Sequence, residues 1–138
     1  MKSVLFICVY NSARSQLAEG LARYLGKGRI EAYSAGLHET GVNPYAIEVM
    51  KEIGIDISSQ RSKSVQEYID REFDYVITLC SEAEGTCPVF PGNAVVMHWP
   101  LRDPNTMGET REQKLEAFRL ARDDIFKRIN ELLKDILD

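Results

Sequence analysis

The chain has 138 residues, of which 44% are hydrophobic, and a formal net charge of −4 from 17 basic and 21 acidic side chains. That length fits a single domain over residues 1–138, because about 100–200 residues per domain is usual. The acidic balance and the lack of a polybasic run argue against nucleic acid and anionic membrane as partners. No apolar stretch approaches the ~18 residues of a membrane span or resembles a signal peptide, so we expect a cytoplasmic protein. Nothing in the sequence requires more than a monomer.

Apolar runs and helical patterns alternate along the chain. Continuous apolar runs predict buried strands, and apolar residues repeated every three or four positions predict helices. Asn43 before Pro44 resembles a helix N-cap and first turn, and Ser64 with Glu67 has the spacing of a capping box. The predicted elements are a strand over 4–7, a helix over 16–25, a strand over 30–35, a helix over 45–53, a short helix from 64 to about 71, strands over 75–79 and 94–99, and a helix over 110–137.

Strands that alternate with helices predict a parallel sheet covered on both faces. We therefore expect an α/β protein, a single-domain three-layer α/β/α fold around a central parallel sheet of four strands. In such folds the ligand binds outside the carboxyl ends of the strands, where the strand order switches. Cys8, Cys80 and Asp103 each follow a predicted strand, so this fold brings them to one edge.

The segment 8–15 joins the first strand to the first helix. A loop at this place can direct several backbone N–H groups to one point, and the helix dipole adds partial positive charge there. Both effects favour a thiolate at Cys8 and a bound tetrahedral oxyanion. The guanidinium of Arg14 matches such an anion. Ser15 is as compatible with capping the helix as with donating a hydrogen bond to the thiolate.

Three cysteines and two histidines are the other residues with chemistry of their own. Cysteines of a cytoplasmic protein rarely form a static disulfide framework, and most are small buried hydrophobic residues. His38 and His98 are separate in sequence and no CxxC pair is present, so we expect no metal site.

The segment 8–20, CVYNSARSQLAEG, resembles the low-molecular-weight tyrosine phosphatase superfamily, and within it the thioredoxin-coupled arsenate reductases. The loop motif of Cys8, Arg14 and Ser15 marks only the superfamily. Cys80 with Cys87 marks the reductase branch. Further matching motifs are YSAG at 33–36, NP at 43–44, GIDIS at 54–58, TLC at 78–80, CP at 87–88 and DP at 103–104.

The resemblance implies a relay that reduces arsenate to arsenite. Cys8 would attack arsenate held by the loop and Arg14, while Asp103 protonates the departing oxygen. Cys80 would then attack Cys8 and release arsenite, and Cys87 would attack Cys80, leaving a disulfide for thioredoxin or a related dithiol. No cofactor is implied. The implied oxyanion-binding residues are Tyr10, Asn11, Ser12, Ala13, Arg14 and Ser15.

A phosphatase of the same superfamily is the main alternative. It would use Cys8, Arg14 and Asp103 through a phosphocysteine, with phosphate or an aryl phosphate in the site. Such an enzyme would have no use for Cys80 and Cys87, and it would usually have tyrosines after the Asp-Pro pair, where this chain has Asn-Thr-Met at 105–107. A redox-sensing or phosphocarrier module on the same fold is a third interpretation, which leaves Asp103 unexplained.

Two positions in the loop depart from the family pattern. Tyr10 stands where many relatives have glycine and adds an aromatic ring at the rim, and Ala13 stands where many have a second loop cysteine.

Some relatives bind potassium at positions matching Asn11, Glu19 and Ser34. Here Arg61 and Lys63 stand where further oxygen ligands are expected, and a hard cation prefers oxygen donors. We therefore expect that no potassium binds.

The stretch between the second and third cysteines predicts a change of structure on oxidation. Residues 81–84 favour a helical turn. In a continuous helix Cys80 and Cys87 would be about 10 Å apart, whereas a disulfide tolerates roughly 4.4–6.8 Å between Cα atoms. We expect this stretch to refold, with Gly85 and Thr86 as the pivot.

Overall fold

A computed structural model describes residues 1–81 and 90–137. The strands and α-helices predicted within them are confirmed, with ends that differ by at most two residues. In chain order they are β1 (Lys2–Cys8), α1 (Arg14–Leu25), β2 (Ile30–Gly36), α2 (Pro44–Lys51), β3 (Tyr75–Thr78), β4 (Val95–His98) and α3 (Arg111–Leu137). Short 3-10 turns lie at Val65–Tyr68 and Pro104–Thr106.

The four strands form one parallel sheet in the order β2-β1-β3-β4. From β1 the chain passes through α1 to β2 on one side, and later returns to β3 on the other side of β1. The strand order therefore switches between β1 and β3, which is where a parallel α/β sheet leaves a crevice for a ligand. Cys8 is the last residue of β1, so the predicted α/β fold delivers it to that crevice.

Both faces of the sheet are covered, but in different ways. The side chains of Val4 and Phe6 face the three α-helices, which meet one another on this face. Leu5 and Ile7 face the opposite side, where aromatic rings and the turn at Val65–Tyr68 cover them. Residues 4–7 are fully buried, as their continuous apolar run predicts for a central parallel strand. The rings on the second face are Tyr33, Tyr68, Phe73 and Phe90.

The start of α2 is as predicted, since the Asn43 side chain accepts a hydrogen bond from the Tyr45 N–H at 2.8 Å and Pro44 is the first helical residue. This cap also positions the site, because the Asn43 N–H donates to the Ser12 carbonyl at 2.9 Å. The amino end of α2 is thereby attached to the loop that follows β1.

The predicted short helix that begins at Ser64 is confirmed as a 3-10 helix, Val65–Tyr68, which ends about three residues earlier than expected. Ser64 caps a 3-10 turn that ends at Tyr68, accepting from the Gln66 N–H at 3.2 Å. Glu67, the other half of the expected capping box, interacts with the Ser64 backbone N–H and also forms two hydrogen bonds with the Arg61 guanidinium, at 2.8 and 2.9 Å. These hydrogen bonds hold the pKa of Glu67 below its ordinary value.

Two further expectations concerned the segment predicted to refold on oxidation and the lack of a membrane-spanning stretch. The predicted pivot at Gly85 and Thr86, and all but the first residue of the predicted turn at 81–84, lie outside the described residues. Among the described helices, even the longest one, α3, is not apolar enough to cross a membrane.

Candidate active site

Cys8 lies buried at the carboxyl end of β1 with a free thiol. Its sulfur is 2.8 Å from the Ser15 hydroxyl oxygen. Because α1 begins at Arg14, the first backbone N–H groups of the helix lie at the end of the loop 8–15, and they have no hydrogen-bond partner within the helix. Together with the helix dipole these N–H groups favour an anion beside the sulfur.

Asn11 holds the loop in shape. Its φ of 49° is in the left-handed region, which asparagine tolerates better than most residues. The side-chain Oδ1 accepts from the Lys63 N–H at 2.7 Å and from Gln16 Nε2 at 2.9 Å. Since a backbone N–H can only donate, the amide orientation of Asn11 is determined. Its Nδ2 therefore donates to Ser15 Oγ at 2.7 Å, which leaves the Ser15 proton for the sulfur of Cys8.

Arg14 is almost fully buried, and backbone carbonyl groups hold its guanidinium. Nη1 donates to the Leu101 carbonyl at 2.8 Å and to the Leu79 carbonyl at 3.3 Å. Neutral carbonyl groups orient the guanidinium without cancelling its charge. Nη2 lies 4.0 Å from Asp103 Oδ2, so the opposite charge of a carboxylate is at the edge of ion-pair distance.

The two carboxylate oxygens of Asp103 have different neighbours: one accepts a backbone hydrogen bond, and the other faces the Arg14 guanidinium. Oδ1 caps the 3-10 turn at Pro104–Thr106 by accepting from the Asn105 N–H at 3.0 Å. Oδ2 faces the Arg14 guanidinium, and the side chain keeps 16% of its surface exposed. A carboxyl group held in this way can reach a ligand bound at the loop.

A cavity of about 310 Å³ opens above the sulfur, at the small end of the size range of ligand pockets. Three of the predicted catalytic residues, Cys8, Arg14 and Asp103, share this cavity. Asn11 and Ser15 lie beneath its surface and support it through hydrogen bonds. The lining residues are Cys8, Tyr10, Ser12, Ala13, Arg14, Thr40, Asp103, Asn105 and Thr106.

Tyr10 stands at the rim of the cavity, as predicted. Its side chain is half exposed and stacks on the His38 ring, with ring centroids 6.0 Å apart and an angle of 30° between the planes. The Ser62 hydroxyl donates to the Tyr10 carbonyl at 3.4 Å and accepts from the Thr40 N–H at 3.1 Å. The ring of Tyr10 thus borders the mouth and rests against His38.

The second predicted cysteine is close to the loop but outside the cavity. Leu79 donates its N–H to the Ile7 carbonyl at 2.8 Å, which continues the parallel pairing of β1 and β3 by one residue. Cys80 follows, is buried, and is not among the described residues that line the cavity. It is disulfide-bonded, whereas Cys8 is a free thiol. Cys87 lies outside the described residues.

Several supporting residues were missed by the sequence analysis. A Cβ atom on Gly36 would lie 2.7 Å from the Asn11 nitrogen and 2.8 Å from the Val9 oxygen, so only glycine fits beside the loop. Its place at the end of a strand was the available signal. Lys63, which the resemblance placed at a potassium-site position with Asn11, Glu19 and Ser34, touches the loop through its backbone, and no local signal predicted that contact. Among residues 1–81 and 90–137 no three His, Cys, Asp or Glu side chains cluster as a metal site would require.

A parallel α/β protein with an oxyanion loop between its first strand and first helix is the class that this geometry defines. The model of the family described as low molecular weight phosphotyrosine protein phosphatase matches residues 3–138. The chain belongs to that family. An arsenate reductase of Halalkalibacterium halodurans is 46% identical over 129 residues, which cover 93% of this chain and 92% of the relative.

Solved structures agree with the sequence comparison. An arsenate reductase in the phosphate binding state superposes with a TM-score of 0.83 at 38% identity, over 99% of both chains. A thioredoxin-dependent arsenate reductase of Corynebacterium glutamicum superposes with a TM-score of 0.76 at 32% identity, over 99% of this chain and 62% of that one.

Proposed function

We propose that this protein reduces arsenate to arsenite through a relay from Cys8 to Cys80 to Cys87, and that thioredoxin or a related dithiol regenerates it. One observation carries the proposal: a free thiol at Cys8 shares a cavity with Arg14 and Asp103, while Cys80 is disulfide-bonded. The names of the relatives support arsenate as the substrate, and one of them supports thioredoxin as the reductant.

In the first step the thiolate of Cys8 attacks arsenic. The backbone N–H groups at the start of α1 and the guanidinium of Arg14 hold the oxyanion and stabilise the negative charge that collects on its oxygens. Asp103, whose Oδ2 faces Arg14, protonates the oxygen that leaves, and water departs. A sulfur–arsenic(V) bond replaces one arsenic–oxygen bond, and no electrons have yet been transferred to arsenic.

In the second step the thiolate of Cys80 attacks the sulfur of Cys8. A disulfide forms, the sulfur–arsenic bond breaks, and its electron pair stays with arsenic, so arsenic(V) becomes arsenic(III) and arsenite leaves. Cys87 then attacks Cys80 and releases the Cys8 thiolate. The two electrons given to arsenic come from two cysteines, and an external dithiol restores them. The free Cys8 and bonded Cys80 of this structure fit the state in which that dithiol would act.

Three cysteine variants test the relay. Arsenate reduction is measured with thioredoxin, thioredoxin reductase and NADPH, and hydrolysis of p-nitrophenyl phosphate is measured in parallel. We expect Cys8→Ser to lose both activities. Cys80→Ser and Cys87→Ser should lose arsenate turnover and retain any hydrolysis, because hydrolysis needs only the first nucleophile. Normal arsenate turnover by Cys80→Ser would rule out the relay.

Hydrolysis of aryl phosphates is the second candidate, as a side activity of the same site. The half-exposed ring of Tyr10, stacked on His38 at the cavity mouth, offers a surface on which a phenyl ring could stack. Such hydrolysis would pass through a phosphocysteine at Cys8, with Asp103 as the acid for the leaving phenol. Hydrolysis that survives Cys80→Ser but not Cys8→Ser would establish it.

We further propose that the enzyme acts as a single-domain monomer over residues 1–138 in the cytoplasm. The family match over residues 3–138 supports the single domain, and a thioredoxin-type reductant fits a reducing compartment. Sedimentation of the purified protein as a dimer would contradict the monomer.

A further inference from the structure

Lys63 carries a positive charge into the interior next to the loop. Its side chain is 7% exposed, and the ammonium nitrogen donates to the Arg61 carbonyl at 2.6 Å and to Glu19 Oε1 at 3.3 Å. An ammonium group is costly to bury unless a charge and hydrogen bonds compensate it. Glu19, itself 5% exposed, supplies the opposite charge, and the Ser34 hydroxyl donates to the same Oε1 at 2.7 Å.

The backbone groups of Lys63 and Arg61 are hydrogen-bonded directly to the residues around the loop. The Lys63 N–H donates to Asn11 Oδ1 at 2.7 Å, and the Lys63 carbonyl accepts from the Gly36 N–H at 2.9 Å. The Arg61 carbonyl that receives the ammonium also accepts from Gln16 Nε2 at 3.1 Å. Residues 61–63 therefore connect α1, the end of β2 and the loop after β1.

A short series of hydrogen bonds leads from this segment to the nucleophile. The Lys63 N–H fixes the orientation of the Asn11 amide, and that amide donates to Ser15 Oγ. When Cys8 is a thiolate its sulfur can only accept, so the Ser15 hydroxyl, 2.8 Å away, then donates its proton to the sulfur. A hydrogen bond to the charged form of a group favours that form, so the series stabilises the Cys8 thiolate.

We propose that Lys63 is a positioning residue for Cys8. Its ammonium, anchored on the Glu19 carboxylate, holds residues 61–63 against the loop and keeps Asn11 and Ser15 aimed at the sulfur. The inference rests on Cys8 being the nucleophile of the proposed function. It goes beyond that function because it assigns a role to a buried ion pair that touches neither substrate nor sulfur.

The ammonium acts through its charge as well as its bulk. In a Lys63→Met variant the methionine keeps most of the volume, but the Glu19 carboxylate and the Arg61 carbonyl lose their shared cation. Arg23, at 3.1 Å from Glu19 Oε2, and Ser34 remain as partners of Glu19, so we expect the variant to fold. A small cation that enters from solution can occupy the vacated place between the two oxygen groups.

The test measures alkylation of Cys8 by iodoacetamide in a Cys80→Ser/Cys87→Ser parent, in which Cys8 is the only thiol. We expect Lys63→Met to slow alkylation at neutral pH by about tenfold, because the thiolate is the reactive form and the variant stabilises it less. Ammonium chloride should restore much of the rate, and tetramethylammonium chloride at the same ionic strength should not. The parent should respond equally to the two salts. Lys127→Met, which removes an exposed lysine of α3, is the matched control and should alkylate like the parent.

Two outcomes overturn the inference: alkylation of Lys63→Met at the parent rate, or a slow rate that the two salts change equally. If Lys63→Met does not fold, the Glu19→Gln/Lys63→Met pair removes both buried charges. In that pair a parent-like rate overturns the inference, and a slow rate that neither salt restores supports it. Arsenate turnover by the protein with all three cysteines is measured separately, so failure of the reductase proposal is distinguished from failure of this one.

Discussion

Replacing Gly36 by alanine should displace the loop that carries Cys8, the proposed nucleophile. The added Cβ would lie 2.7 Å from the Asn11 nitrogen, 2.8 Å from the Val9 oxygen and 2.9 Å from the Cys8 oxygen. Ordinary contacts of a Cβ atom begin near 3.4 Å, and all three neighbours are backbone atoms that no side-chain rotation can move. The loop must therefore shift by about 0.5–0.7 Å relative to β2.

The size of that shift sets the expected loss of stability and the expected loss of activity. Overpacking of this kind costs about 1–3 kcal/mol in the free energy of unfolding, which lowers the melting temperature by roughly 4–12 °C for a chain of this size. A displacement of ~1 Å near the reacting atoms can cost about a hundredfold in rate. We therefore expect kcat/KM for arsenate to fall by about tenfold or more.

Gly54→Ala is the matched control for stability. Gly54 has a φ of +81° with no atom within 4 Å of an added Cβ, and it follows α2 at the end remote from Asn43. Alanine there stores backbone strain of about 1–2 kcal/mol without contacting the loop. In the assay coupled to thioredoxin and NADPH, Gly54→Ala should melt earlier and keep its kcat/KM. A Gly36→Ala variant whose kcat/KM stays within about twofold of the unmodified protein would refute the argument.

Two further predictions concern single carboxylates. Asp103→Asn keeps the cap on the Asn105 N–H, so the melting temperature should not change, but the amide cannot act as an acid. Single-turnover release of arsenite should therefore slow by about a hundredfold or more. A rate within roughly threefold of the unmodified protein would exclude Asp103 as the acid. Hydrogen bonds from Arg119, and secondarily from Arg122, hold the pKa of Glu52 below its ordinary value of 4.5. A depressed pKa contributes stability above pH 4.5 that is lost as pH falls through the folded-state value. Glu52→Gln should therefore lower the free energy of unfolding, measured by urea titration at neutral pH, by about 1 kcal/mol or less because the pair is partly exposed, and the difference should shrink in acid. A difference independent of pH would contradict this assignment.

The elements of the fold could be predicted because their signals are local. Residues 4–7 are apolar without interruption, and that pattern alone indicates a strand buried on both faces, as β1 is. Asn43 and Pro44 indicate the start of α2, because an N-cap hydrogen bond and a proline in the first turn involve no distant residue. The predicted capping box at Ser64 is a further local signal, since Ser64 caps the 3-10 helix at Val65–Tyr68 and its backbone N–H interacts with the Glu67 carboxylate. The ion pair of Glu67 with the Arg61 guanidinium was not predicted from the sequence.

The residues proposed to react were also open to prediction. Cys8 and Arg14 lie in one loop whose spacing is a property of the chain, and Asp103 follows a strand that ends at the same edge of a parallel sheet. Strand ends converge whatever the side chains between them, so residue types at those ends predicted that Cys8 and Asp103 meet in the cavity, although Cys80, expected at the same edge, lies outside it.

The contacts around the Cys8 sulfur depend instead on the tertiary structure. Lys63 meets Asn11 across 52 positions of sequence, and the space beside Gly36 exists only because the loop folds back on β2. Close approach and a buried charge pair arise when separate segments pack, and neither leaves a periodic or capping pattern in the chain. The sequence therefore indicates an oxyanion site with a nucleophilic cysteine. Only the packed structure shows that an asparagine amide, held by the Lys63 backbone, donates to the serine hydroxyl that lies beside that sulfur.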